Sequence, residues 1–288
     1  MSLQITAASR LNSVEEYYFS KKLKQIAALK ESGVPIINLG IGSPDLAPSS
    51  ETIAALTESA ANPSHHAYQG YQGIPALREA FASFYAKHYG VTVNPASEIL
   101  PLIGSKEGIM HIAMAYLEKG DVTLIPNPGY PTYSAACSLA GATVESYELS
   151  ASNGWLPDLK ALEKRDLSKV KIMWVNYPHM PTGAQATVEF FTELRDFAIR
   201  HSILLVNDNP YSFILNEKPM SMLSIPGMQD VAIELNSLSK SHNMAGWRIG
   251  AAFGKAEFLA PVLKFKSNMD SGMFLPLQQA AVKALSAD

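Results

Sequence analysis

The sequence predicts an α/β fold: a three-layer sandwich with a central, mostly parallel sheet and helices on both faces. Short apolar runs recur at residues 99–103, 121–125, 142–149, 170–175, 203–207, 231–235 and 249–253. Helical patterns at residues 107–119, 132–140, 187–201 and 256–268 separate most of these runs. Strand–helix alternation with short apolar strands argues for a parallel sheet covered on both sides. Binding sites in such sheets lie in the loops at the carboxyl ends of the strands.

Upstream of the alternation, residues 13–32 read as a helix, with Ser13 and Glu16 spaced as a capping box and Gly33 and Pro35 ending it. Residues 36–39 form a short extended piece running into the turn-rich loop at residues 40–45. Residues 50–61 read as helical. The stretch from Asn62 to Gly73 has no period and reads as a loop. Pro75 starts a helix through His88, with Leu77, Phe81 and Phe84 on one side. Residues 277–288 form a helical pattern without a closing signal.

Composition excludes several classes. The 288 residues are 47% hydrophobic and 17% charged, enough apolar content for a large core. The net charge of −3 and the pI of 6.2 carry no basic footprint for nucleic acid or anionic membrane. Neither a signal peptide nor an apolar run of membrane-spanning length is present. The single cysteine, Cys137, excludes an internal disulfide and fits a reducing cytoplasm. None of the seven histidines forms a pair with metal-ligand spacing, so no metal site is expected.

Chemistry concentrates in the run from Ser237 to Gly250. Lys240 stands among small hydroxyl residues, Arg248 follows eight positions on, and Gly246 and Gly250 bracket the arginine. A lysine amine becomes a nucleophile or Schiff-base partner when burial or a cationic neighbour lowers its pKa. Hydroxyls and a guanidinium suit a nearby dianion. Four more loops follow predicted strands. Gly104-Ser105-Lys106-Glu107-Gly108 opens a helix, whose first N–H groups favour a phosphate. Alone it is only a glycine turn. Asp208-Asn209-Pro210-Tyr211 places a carboxylate at a strand's end, where it otherwise reads as a cap. Asn127 to Tyr133 and Asn176 to Gly183 complete the set.

Together these motifs resemble the fold-type I (class I/II) aminotransferases, which depend on pyridoxal 5'-phosphate, and the resemblance covers essentially the whole chain. It implies a large domain of the type that binds this cofactor. Lys240 would carry the cofactor and act as general base and acid. Gly104, Ser105, Lys106, Ser237, Ser239 and Arg248 would hold its phosphate. Asp208 would bind the ring nitrogen, Tyr211 the phenolic oxygen, and Tyr130 would stack on the ring. Gly42 matches a position near the substrate carboxylate. The segment His66 to Arg78 resembles one whose tyrosine, here Tyr68, reaches the phosphate in a partner subunit, which implies a homodimer. Ser267 to Gly272 is either a plain loop or a segment near the partner's site. Tyr17 and Tyr18 are expected to pack on the partner or on a further domain.

The chain departs from the family at Met180. The turn Met180-Pro181-Thr182-Gly183 carries methionine where the family has an asparagine that donates to the phenolic oxygen, and a thioether cannot donate. Tyr211 is then the main donor, unless His179 or Asn176 compensates.

The expected organisation is an N-terminal helical arm over residues 1–35, the large domain over 36–275, and over 276–288 the start of a helix leading to a missing C-terminal small domain. The expected reaction moves an amino group between an amino acid and a 2-oxo acid in the cytoplasm. A β-lyase or decarboxylase on the same fold is the first alternative. A non-catalytic cofactor-binding module is the second.

Overall fold

The computed structural model describes residues 3–40 and 42–287; Ile41 of the loop at 40–45, Met1, Ser2 and Asp288 lie outside the described residues. A seven-stranded sheet forms the middle layer. Its strands are β1 (Ile99–Leu102), β2 (Val122–Asn127), β3 (Thr143–Glu148), β4 (Val170–Val175), β5 (Leu204–Asp208), β6 (Ala232–Ser237) and β7 (Gly250–Gly254). Their order is β1-β7-β6-β5-β4-β2-β3. All neighbours pair in parallel except β7, which runs antiparallel to both β1 and β6. The predicted runs match all seven strands within two residues.

The helices are α1 (Tyr18–Glu31), α2 (Ser50–Ala61), α3 (Pro75–Tyr89), α4 (Ser105–Tyr116), α5 (Pro131–Ala140), α6 (Leu159–Leu162), α7 (Val188–His201), α8 (Leu238–Ser241), α9 (Ala256–Lys266) and α10 (Leu275–Leu285). Side-chain alternation along the strands divides the apolar residues between two cores. On one face, Met173, Val175, Leu205 and Phe253 meet Leu77, Phe81 and Tyr85 of α3 and Phe191, Leu194 and Phe197 of α7. On the other, Ile172, Trp174, Val206 and Ala252 meet Ile109 and Ile112 of α4, Ala136 of α5 and Leu259 of α9. This is the three-layer sandwich that the strand–helix alternation predicts. Leu77, Phe81 and Phe84 share the inner side of α3, as their spacing requires.

The N-terminal segment differs from its expected form. The Ser13–Glu16 capping box does not form. Ser13 Oγ donates back to the carbonyl of Arg10, closing a 3₁₀ turn (Ser9–Ser13). Glu16 accepts from Ser20 and Lys24 instead, and the helix begins at Tyr18 without a side-chain cap. Local hydroxyl-to-backbone bonding has outcompeted the cap. No residue of α1 is buried. Residues 36–39 join no strand, and the loop at 62–73 contains a 3₁₀ turn (Pro63–His66). The last helix closes at Leu285, where Ser286 Oγ donates to the carbonyl of Val282.

Candidate active site

The strand directions gather the candidate residues at one edge of the sheet. The carboxyl ends of β1, β2, β4, β5 and β6 open there. Because β7 is antiparallel, its beginning lies at the same edge: Gly250 pairs with Leu102 at the end of β1 and with Ser237 at the end of β6. The loops leaving β1 and β6 therefore meet at the glycine that opens β7.

That junction is tightly packed. A Cβ on Gly250 would lie 2.6 Å from the carbonyl of Asn236 and 3.0 Å from the backbone N of Ser105. A Cβ on Gly104 would overlap the guanidinium of Arg248, and Gly104 also has φ +79°. Only glycine meets both conditions. Arg248 Nη1 donates to Ser239 Oγ at 3.2 Å and to the carbonyl of Ala245 at 2.8 Å. Ser237 Oγ donates to Ser239 Oγ at 2.9 Å and accepts from Ser239 N at 3.2 Å. Gly104, Ser105, Ser237, Ser239 and Arg248 thus form one cluster. It has the opening turn of α4 on one side, a fixed guanidinium on the other and hydroxyls between them. First-turn N–H groups, a guanidinium and hydroxyls form a donor set suited to a phosphate dianion.

Lys240, on α8, turns its Nζ to the carbonyl of Gly42 at 2.5 Å. Partial burial and the adjacent Arg248 charge hold this amine below the ordinary lysine range. Gly42 itself is exposed.

Asp208 ends β5 and is buried. Tyr133 Oη donates to its Oδ2 at 3.1 Å, whereas Oδ1 is buried without a partner among the described residues. Burial pushes this carboxyl up to about 6, against the hydrogen bond from Tyr133. A buried carboxylate with one unpaired oxygen is poised to accept a proton-bearing group. Tyr211 is pushed above the ordinary tyrosine range by burial and by the nearby Asp208 charge. Tyr130 moves the same way, through burial first, with Tyr17 and Asp208 adding.

Tyr68 stands apart, 91% exposed. The geometry brings to the site two tyrosines that were not expected there. Tyr17 packs on the candidate site of its own chain rather than only outward: its Oη donates to Tyr130 Oη at 3.1 Å, and the Lys106 ammonium lies 3.7 Å from its ring centroid. Tyr133 holds Asp208; the available signal was its position three residues after Tyr130, which stands at the N-cap of α5. Asn176 and His179 are both engaged in holding loops. Asn176 Nδ2 donates to the carbonyl of Asp208 at 2.5 Å, and its Oδ1 accepts from Met180 N at 2.8 Å. His179 lies 2.8 Å from Thr182 Oγ1 and 3.1 Å from the carbonyl of Pro128 through its two ring nitrogens. In these contacts neither replaces the missing asparagine donor.

A family model described as aminotransferase class I and II matches residues 34–288. The chain belongs to the class I and II aminotransferases. As an aminotransferase of this family it is 44% identical, over 97% of its length and 72% of the relative's, to LL-diaminopimelate aminotransferase of Dehalococcoides mccartyi. It is 42% identical, over the same shares, to the enzyme of that name from Moorella thermoacetica. Among solved structures, substrate-bound BacF from Bacillus subtilis superposes with a TM-score of 0.93 at 39% identity, covering 99% of this chain and 72% of that one. Aspartate aminotransferase from Thermus thermophilus with maleate gives 0.91 at 25% identity, covering 98% and 73%. Family membership implies pyridoxal phosphate. Two features of this aminotransferase fit that group: the unpaired buried oxygen of Asp208 and the Gly104–Arg248 cluster. Among the described residues, no helix is long and apolar enough to cross a membrane.

Proposed function

We propose that this aminotransferase binds pyridoxal 5'-phosphate through Lys240 and exchanges an amino group between an amino acid and a 2-oxo acid, as a cytoplasmic homodimer. Bound pyridoxal phosphate supplies an electron sink for the bond electrons released at the substrate's α carbon. The chain's own residues supply the rest. Gly104, Ser105, Lys106, Ser237, Ser239 and Arg248 hold the phosphate. The free oxygen of Asp208 keeps a proton on the ring nitrogen by electrostatic attraction. Tyr211 donates to the phenolic oxygen, and Tyr130 lies against the ring.

Lys240 moves the proton. Its lowered pKa raises the neutral fraction near pH 7, so the released amine can take the α proton and return it. The carbonyl of Gly42 gives that amine a fixed seat when it is free. The Gly42 segment also faces the substrate carboxylate. Tyr68 of one subunit completes the phosphate site of the other, consistent with its exposure in the single chain.

The observation that carries this reading is the buried, half-satisfied carboxylate of Asp208 at the same sheet edge as Lys240 and Arg248. The relatives named LL-diaminopimelate aminotransferase make LL-diaminopimelate the amino donor to try first. The test incubates the loaded protein with LL-diaminopimelate and follows the pyridoxamine form of the cofactor. Its accumulation with release of the 2-oxo product supports transamination. Pyruvate and ammonia release without that form indicates lyase chemistry instead.

A further inference from the structure

Behind the phosphate cluster, between α4 and α9, lies a buried group of ionisable side chains. Lys266, the last residue of α9, is 0% exposed. Its ammonium donates to Asp270 Oδ2 and lies 3.6 Å from Glu107 Oε1. His111 Nε2 lies 3.0 Å from the same Glu107 oxygen. Glu107, His111 and Asp270 have the composition of a metal site, with ligand atoms within 4.8 Å of one another. The Lys266 ammonium already supplies the cation there. A fully buried ammonium is tolerated only when paired in this way.

The two carboxylates lead in different directions. Glu107 Oε2 accepts the backbone N–H of Ile103 at 2.5 Å, clasping the turn that contains Gly104, Ser105 and Lys106. Asp270 Oδ1 accepts Gly272 N at 2.9 Å. Gly272 packs on the loop after Tyr68: a Cβ there would lie 2.6 Å from the carbonyl of Gln69. Gln278 ties the same segments, accepting from Ile74 N at 2.8 Å and donating to the carbonyl of Met273 at 2.7 Å.

We infer that Lys266 is a positioning residue, an internal counter-cation that holds the phosphate-binding turn at Gly104–Glu107 in register with the loop at 267–273. The role rests on the proposed reading of that turn as the cofactor's phosphate seat. It acts through Glu107 and Asp270. Removing the ammonium leaves two carboxylates facing each other, and relief of their repulsion releases Glu107 from Ile103.

The test uses the apo protein, with inorganic phosphate and pyridoxal phosphate as probes. Binding is measured well below the thermal midpoint of each variant. Lys266→Met is expected to weaken both affinities by about tenfold or more, the usual scale for lost support of a binding group. Asp270→Asn, which leaves the ammonium paired with Glu107, is expected to weaken them less and serves as the deciding variant if Lys266→Met does not fold. Leu259→Ala on the same helix lowers the thermal midpoint as a packing control and leaves phosphate affinity in place. Unchanged phosphate affinity in the folded Lys266→Met protein, or in Asp270→Asn if that variant must decide, overturns the role. So does an equal loss of affinity in Leu259→Ala. If the unsubstituted protein binds neither probe, the failure lies with the cofactor reading instead.

Discussion

At the scale of single residues, the chemistry depends on carboxyl and amine groups whose surroundings displace their pKa values. Asp208 is the clearest case. Its carboxyl titrates near 6 when buried, so between about pH 4 and 6 the folded apo protein holds a proton that the unfolded chain has lost. Stability from this group is therefore full at low pH and is lost as pH rises through 6, by an amount on the order of 3 kcal/mol. Asp208→Asn should flatten that part of the apo protein's thermal-midpoint profile; an unchanged profile would place the titration elsewhere. Asp208→Ala should retain some cofactor yet lose turnover by about a hundredfold or more, the scale of a lost proton-holding group. Steady-state rates of the loaded variant check this. Met180 offers a second residue-scale experiment. With Asn176 and His179 holding loops, Met180→Asn would add a donor to the phenolic oxygen. A donor to the charged form favours that form, so the pH midpoint of the visible absorbance change should fall. A midpoint that stays or rises would show that position 180 does not reach that oxygen.

At the scale of elements, the opening turn of α4 depends on two glycines and the strand directions around them. Gly104→Ala would force a side chain into the Arg248 guanidinium and into a backbone region that strongly favours glycine, at about 1–3 kcal/mol for the strain alone. Thermal melting and phosphate titration of the variant should both fall; wild-type phosphate affinity would separate the turn from the binding cluster. Both motifs were legible as G-S-K-E-G and S-L-S-K…W-R-I-G. Their dependence on each other was not, because contact between Gly104 and Arg248 requires the antiparallel β7 to return its amino end to the site edge. Strand positions were legible because each apolar run ends at a turn. The direction of β7 carries no such local mark. The N-terminal segment was misread for a related reason. The Ser13–Glu16 spacing is a valid cap signal, but the two side chains bond elsewhere, Ser13 to the carbonyl of Arg10 and Glu16 to Ser20 and Lys24. Tyr17 was expected on the partner or a further domain and Tyr133 carried no assignment; their partners in the site, Tyr130 and Asp208, lie 113 and 75 residues away in sequence.

At the scale of the whole molecule, the fold places nearly all the candidate residues along one sheet edge and leaves Tyr68 facing outward. If two copies share sites as proposed, a mixture of inactive Lys240→Ala and Tyr68→Ala subunits should regain activity, since a hybrid dimer contains one site with neither change. Mixed subunits that exchange but remain inactive would place Tyr68 in another role. Covalent attachment is most directly examined by borohydride reduction of the protein loaded with pyridoxal phosphate, followed by peptide mapping. The pyridoxyl group should lie on Lys240, with no label at that site in Lys240→Ala. Label on another lysine, or an intact protein that takes up none, would contradict the central claim.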